Sequence, residues 1–140
     1  MNKGILPDTN VLGEIWNPAG RTSVREALAD VSDRIMLSVV VLGETWRGIS
    51  QLKPSRRRDG LSDYYAGLVR DFGDRILPVT LEVAEHWGTI AAGARGRGRT
   101  ISPADGLIAA TAVVHGLTVW TRNVSDFGET GASVFNPWED

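Results

Sequence analysis

The sequence predicts an α/β domain with a parallel sheet of four to five strands, and three observations carry that reading. Short runs that are almost wholly apolar recur along the chain, as strands buried on both faces require. Between them lie stretches with helical spacing of about 10 or more residues, the length a right-handed crossover needs. The chain has 140 residues, enough for one ordinary core and too few for two independent ones. No internal repeat, linker or low-complexity tract interrupts it, so residues 1–140 are read as one domain.

The elements follow in order. Gly4–Pro7 reads as a short buried strand and Thr9–Trp16 as a helix; Ser23–Val31 is a second helix. Arg34–Val39 is apolar and β-branched, hence a second strand, and Val40–Leu52 continues as a helix. Lys53–Leu61 holds a proline, three arginines and a glycine and reads as a loop. Ser62–Phe72 is helical, and Arg75–Val79 is a third strand. Leu81–Ala94 is a helix running into the glycine-rich stretch Gly93–Gly98, which reads as a loop. Ser102–His115 is a helix, Leu117–Thr121 a fourth strand and Ser133–Phe135 a fifth.

Composition narrows the chemistry. Hydrophobic residues make up 42% of the chain, so it should fold without metals or crosslinks. Cysteine is absent, which removes disulfides, thiolate zinc sites and cysteine nucleophiles. No apolar run approaches the ~20 residues that span a bilayer, and Met1-Asn2-Lys3-Gly4 lacks a signal-peptide pattern. A soluble, cytoplasmic protein is expected. The net charge of −2 argues against a duplex binder. Yet of 15 basic residues all but Lys3 and Lys53 are arginines, and arginine suits bidentate phosphate contacts. Two clusters stand out, Arg56-Arg57-Arg58 and Arg95, Arg97 and Arg99. They are candidate phosphate contacts, together with Arg122; the alternative is a pair of solvated loops.

Four carboxylates could carry chemistry. Ligands of open α/β sheets bind beyond the carboxyl ends of the strands. Asp8 follows the first strand directly, Glu44 lies one turn into the helix after the second, and Asp126 lies just past the fourth. Asp105 could reach the same edge from the first turn of its helix. Each has a plainer role open to it. Asp8 could cap a helix. Asp105 could complete a capping box in Ser102-Pro103-Ala104-Asp105. Glu44 could pair with Arg47, and Asp126 could be a turn aspartate beside Asn123 and Ser125. Against those roles, Asp105 shares a helical face with Ile108, Ala109 and Ala112, and Glu44 has Val40, Val41 and Gly48 for neighbours, so both point to covered surface. A carboxylate there needs a partner charge or a metal.

Carboxylates gathered at one site repel unless protonated or bridged by cations. The available ligands are oxygens, since His86 and His115 fall away from these segments, and an all-oxygen site favours Mg²⁺ or Mn²⁺. Such sites typically serve phosphodiester chemistry, with one or two ions activating water and steadying the leaving oxygen.

The segments Leu6-Pro7-Asp8-Thr9-Asn10-Val11-Leu12, Ser38 through Gly43-Glu44, Ser102 through Ala112, Leu117 through Phe127 and Asn136-Pro137-Trp138 occur in an order that resembles the PIN-domain ribonucleases. They resemble in particular the VapC-type toxins of bacterial toxin–antitoxin pairs, and they span nearly the whole chain. The resemblance implies a three-layer α/β/α PIN-like fold and a Mg²⁺- or Mn²⁺-dependent endoribonuclease activity. It implies that Asp8, Glu44, Asp105 and Asp126 are the acidic quartet, with Asp8 and Asp105 the principal metal ligands. Thr9, Asn10, Thr121 and Asn123 match the polar positions that support the carboxylates and position water. It further implies a homodimer, or a heterotetramer or larger with a cognate antitoxin. Pro7 departs from the usual aliphatic residue and removes one backbone donor. The Arg95–Arg99 segment, richer in glycine and arginine than the motif requires, reads either as a mobile RNA-contacting flap or as a solvated connection. Trp16 and Trp46 offer either an antitoxin groove or core packing.

Other classes fit less well. A phosphoacceptor receiver needs a lysine near the last strand, and none follows Lys53. No Gly-x-x-x-x-Gly-Lys is present for a nucleotide, and Asn10 stands where a haloacid-dehalogenase-like phosphatase needs a second aspartate. A catalytically silent RNA- or protein-binding module that kept the fold is the remaining alternative.

Overall fold

The computed structural model describes residues 4–15 and 19–139. Its strands are β1 (Ile5–Pro7), β2 (Leu37–Ser38), β3 (Ile76–Leu77), β4 (Thr118–Trp120) and β5 (Ser133–Phe135). The helices are α1 (Thr9–Glu14), α2 (Thr22–Asp30), α3 (Val39–Ser50), α4 (Arg56–Phe72), α5 (Leu81–Gly96) and α6 (Pro103–His115). Single 3₁₀ turns at Ser32–Arg34, Gly73–Arg75 and Val124–Phe127 complete the order. Trp16 lies outside the described residues.

All strand pairs are parallel. β4 lies between β1 and β5, with Pro7 opposite Trp120 and Trp120 opposite Phe135. β2 pairs with β3, and a bridge between Ile5 and Ile35, with Met36 N donating to the Ile5 carbonyl at 2.8 Å, joins the two ladders. The spatial order is therefore β3-β2-β1-β4-β5. Successive strand residues face opposite sides of a sheet, yet Ile5, Leu6 and Pro7 are all buried. Both faces are thus covered by helices, the α/β/α arrangement expected. Leu6 and Val119 meet Val11 and Leu12 of α1, Val41 of α3, Val83 of α5 and Ile108 of α6 in one core.

Several boundaries move, each for a local reason. The second and third strands shrink to two residues apiece, because a 3₁₀ turn precedes each. After β2 the Ser38 hydroxyl at once accepts from Val40 N and opens α3. Residues 56–61 are helix rather than loop. The Ser55 hydroxyl accepts from Arg58 N at 3.1 Å, arginine is a good helix former, and Asp59 in the first turn suits the helix dipole. Gly93 to Gly96 also remain helical. α5 ends only at Arg97, in a Schellman turn: Gly98 takes φ +74, its N–H donates to the Arg95 carbonyl and Arg99 N–H donates to the Ala94 carbonyl. The 95–99 segment is therefore a hydrogen-bonded helix end rather than a loop.

α5 and α6 pack closely at Gly106. A methyl group there would stand 2.7 Å from Trp87 Cδ1 and 2.9 Å from its Nε1. The contact fixes how far α6 can turn, and so where the neighbouring Asp105 points. Gly106→Ala should destabilise the protein by about 1–3 kcal/mol through overpacking, read as a lower urea midpoint at unchanged slope.

Candidate active site

The site begins at the carboxyl ends of two adjacent strands. Because Pro7 and Trp120 are paired, the next residues along, Asp8 and Thr121, are brought side by side. Asp8 N donates to the Trp120 carbonyl at 2.9 Å, and the fully buried Thr121 donates its hydroxyl to Asp8 Oδ2 at 2.9 Å. Thr121 Oγ1 in turn accepts from Asn123 N at 3.0 Å. Asn123 thus contributes through its backbone. The other Asp8 oxygen accepts from Thr9 N at 2.8 Å, so the capping role and the place at the sheet edge coexist in one carboxylate.

Thr9 extends the network. Its hydroxyl donates to Glu44 Oε1 at 2.8 Å, tying the start of α1 to the second turn of α3. Among the described residues the carboxylate ion pairs involve only Asp71 and Glu129, so Glu44 is held by Thr9 and not by Arg47. Asn10 spans the remaining gap. Its Nδ2 reaches Asp8 Oδ2 at 3.4 Å and its Oδ1 accepts from Arg122 N at 3.2 Å. Asp105 lies half-buried at the start of α6, where the Ser102 hydroxyl accepts from its N–H at 3.1 Å. Asp126 is exposed on the 3₁₀ turn after β4.

Electrostatics show that these groups sense one another. Burial pushes the Asp8 carboxyl above its ordinary value of 3.8; the Thr9 amide and Thr121 hydroxyl pull it back, and the charges of Glu44 and Asp126 add to the rise. Burial likewise raises Asp105, Ser102 opposes this, and the charges of Asp8 and Asp126 reinforce it. Among the described residues no three carboxylates converge closely enough to hold an ion alone. The donor set still fits Mg²⁺ or Mn²⁺: it is all oxygen, and Mg²⁺ commonly binds through one or two carboxylates while keeping several waters.

Two cavities are lined by the other three carboxylates. One, of about 490 Å³, is lined by Asp105, Asp126, Ser102, Arg99 and Glu129. The other, of about 250 Å³, is lined by Thr9, Glu44, Gly48 and Arg57. One arginine of each cluster therefore reaches a carboxylate-lined cavity, whereas Arg56, Arg58, Arg95 and Arg97 line neither. The Arg122 guanidinium stacks over Trp138 at 5.1 Å. Trp46 is 45% exposed and lies against Tyr65, so it is not core. Glu129 escaped the sequence reading because it sits in a loop, Gly128-Glu129-Thr130-Gly131, that has no periodic pattern.

The model of the PIN domain family matches residues 5–131. The chain belongs to the PIN-domain family. It is 34% identical over 137 residues to the VapC ribonuclease Y4jK of Sinorhizobium fredii, covering 96% of this chain and 98% of that protein. It is 35% identical to toxin FitB of Neisseria gonorrhoeae, over 97% of this chain and 99% of that one. The crystal structure of FitAcB from N. gonorrhoeae superposes with a TM-score of 0.91 at 34% identity, covering 97% of this chain and 99% of that chain. The structure of FitAB bound to IR36 DNA does so with 0.90 at 33%, covering 97% and 96%. VapBC2 from Rickettsia felis, at 21% identity and a TM-score of 0.78, over 94% of this chain and 97% of that chain, shares the fold.

The raised carboxyls set a stability test. A carboxylate raised on folding adds stability below its unfolded pKa, and that stability is lost as pH rises through the folded value. The metal-free protein is thus penalised at neutral pH for keeping Asp8 ionised. Asp8→Asn should raise Tm in EDTA at pH 7, and the gain over wild type should shrink as the pH is lowered toward 4. Thr121→Val, which strips Asp8 and Asn123 N–H of a partner, should cost about 1–3 kcal/mol in chemical unfolding.

Proposed function

We propose that this PIN-domain protein is a metal-dependent endoribonuclease and the toxin of a toxin–antitoxin pair, and that residues 1–140 form one such domain. The observation that carries the reading is Asp8, a buried carboxylate held on both oxygens at the sheet edge and within electrostatic reach of Glu44, Asp105 and Asp126. Relatives named as a ribonuclease and as a toxin, matched over nearly their full length, support it.

In this reading Asp8 and Asp105 are the principal ligands of Mg²⁺ or Mn²⁺, and Glu44 and Asp126 complete the shell directly or through water. The bound ion would lower the pKa of its water and draw off phosphate charge. The chain's own residues do the rest. Thr121 and Thr9 N–H hold Asp8 in one rotamer. Thr9 keeps Glu44 turned toward the edge. Asn10 pins the backbone at Arg122. Arg57 supplies positive charge at the Glu44 cavity and Arg99 at the Asp105–Asp126 cavity, where an RNA strand would place its phosphates. The products would be a 5′-phosphate and a 3′-hydroxyl.

The partners would be RNA and a cognate antitoxin, with a homodimer or a heterotetramer as the assembly. Solved relatives include FitAB bound to a DNA fragment, which makes an antitoxin complex the natural form to look for. Among the described residues no helix is long and apolar enough to cross a membrane, and the cytoplasm is the proposed location.

Incubating total RNA with the purified protein and Mn²⁺, Mg²⁺ or EDTA tests this directly. Discrete cuts are expected with metal and none with EDTA. Asp8→Asn and Asp105→Asn should each lower the rate at least about 100-fold, the scale of positioned catalytic groups, without lowering Tm. Full cleavage by either variant would remove that residue from the site. No metal-dependent cleavage by antitoxin-free wild type would instead assign a silent binding module.

A further inference from the structure

Glu129 closes one side of the larger cavity and binds two arginines of the same helix end. Its Oε1 lies 3.5 Å from Arg97 Nε and its Oε2 lies 3.0 Å from Arg99 Nη1. Its backbone carbonyl also accepts from Arg97 Nη2 at 3.4 Å. The backbone beneath those arginines is already locked by the Schellman turn at Gly98. An arginine has five N–H donors, so these contacts leave most of the Arg99 guanidinium uncommitted at a cavity that Asp105 and Asp126 also line. Without Glu129, the nearest carboxylates for Arg99 in that cavity would be Asp105 and Asp126 themselves.

We infer that Glu129 is a positioning residue for RNA: braced by Arg97, it holds Arg99 beside the Asp105–Asp126 cavity, ready for a substrate phosphate and away from those two carboxylates. The inference rests on the ribonuclease reading above. Its sign is unusual and therefore decisive. By charge alone, removing a glutamate next to a polyanion's path should tighten RNA binding. Holding two long side chains in place works the other way, because an unheld arginine must be ordered when the strand arrives.

The test is the affinity of a fluorescent single-stranded RNA oligonucleotide in EDTA, by anisotropy, followed by steady-state cleavage with Mn²⁺. Glu129→Gln should weaken binding about three- to tenfold, the scale of ordering one or two such side chains, and raise KM by a similar factor with kcat within about twofold. Arg99→Gln should weaken binding and flatten its dependence on log salt by up to about one. In the Arg97→Gln, Arg99→Gln background, adding Glu129→Gln should weaken binding no further. Tighter or equal binding by Glu129→Gln would overturn the inference, as would a loss that persists when both arginines are absent. If wild type cleaves RNA and Glu129→Gln matches it in KM, Glu129 alone is misassigned. A wild type that neither binds nor cleaves RNA overturns the inference and the ribonuclease reading together.

Discussion

The hydrogen bond from Thr121 to Asp8 organises the region around it. A carboxylate only 6% exposed needs partners on its oxygens, and it finds them in Thr121 of the neighbouring strand's end and in the first amide of its own helix. That requirement fixes the register of β1 against β4 at the point where both strands stop. It also fixes the rotamer of Thr121, whose oxygen must accept from Asn123 N, and so the path of the chain leading toward Asp126. Through Thr9 the same carboxylate is coupled to Glu44 on a third element. The site is thus an extension of the sheet's own pairing, not a group of side chains laid upon it.

The cost of this arrangement is electrostatic. Burial pushes both Asp8 and Asp105 toward their neutral forms, and nearby carboxylates add to it: Glu44 and Asp126 for Asp8, Asp8 and Asp126 for Asp105. A protein optimised for stability alone would place neutral groups there. In the proposed function, divalent cations would relieve that repulsion and at the same time give a binding edge for phosphate, which would reconcile an acidic pocket and a net charge of −2 with an anionic substrate. The arginines that line the cavities, Arg57 and Arg99, would supply the remaining attraction locally, where a sum over the chain does not register it.

The placement of these arginines depends on backbone order. Arg57 sits in the first turn of a capped helix, and Arg97 and Arg99 sit on a Schellman turn with Glu129 between their guanidinium groups. Rigid placement of long side chains lowers the entropy lost when a ligand arrives. A glycine-rich, arginine-rich stretch can therefore be a structured part of a binding edge, with Gly98 supplying the positive φ that the turn requires.

The sequence by itself determined the alternation of apolar runs and helical segments, hence the parallel sheet, and placed Asp8, Glu44 and Asp126 near strand ends, because those signals are local and periodic. It also marked Ser102-Pro103 as a helix start and Asp8 as a cap. The helical state of Arg56–Leu61 and of Gly93–Gly96 was not legible, since propensity in short stretches is weak until a cap or a packed face decides it. Only the tertiary structure decided that Thr121 reaches Asp8, that Thr9 holds Glu44, that Gly106 must admit Trp87, and that Glu129 joins two arginines at a cavity. Each of these joins residues that 19 or more positions of chain separate. Contacts at such range leave no periodic trace in the sequence, and they exist only once the sheet has closed and brought its strand ends to one edge.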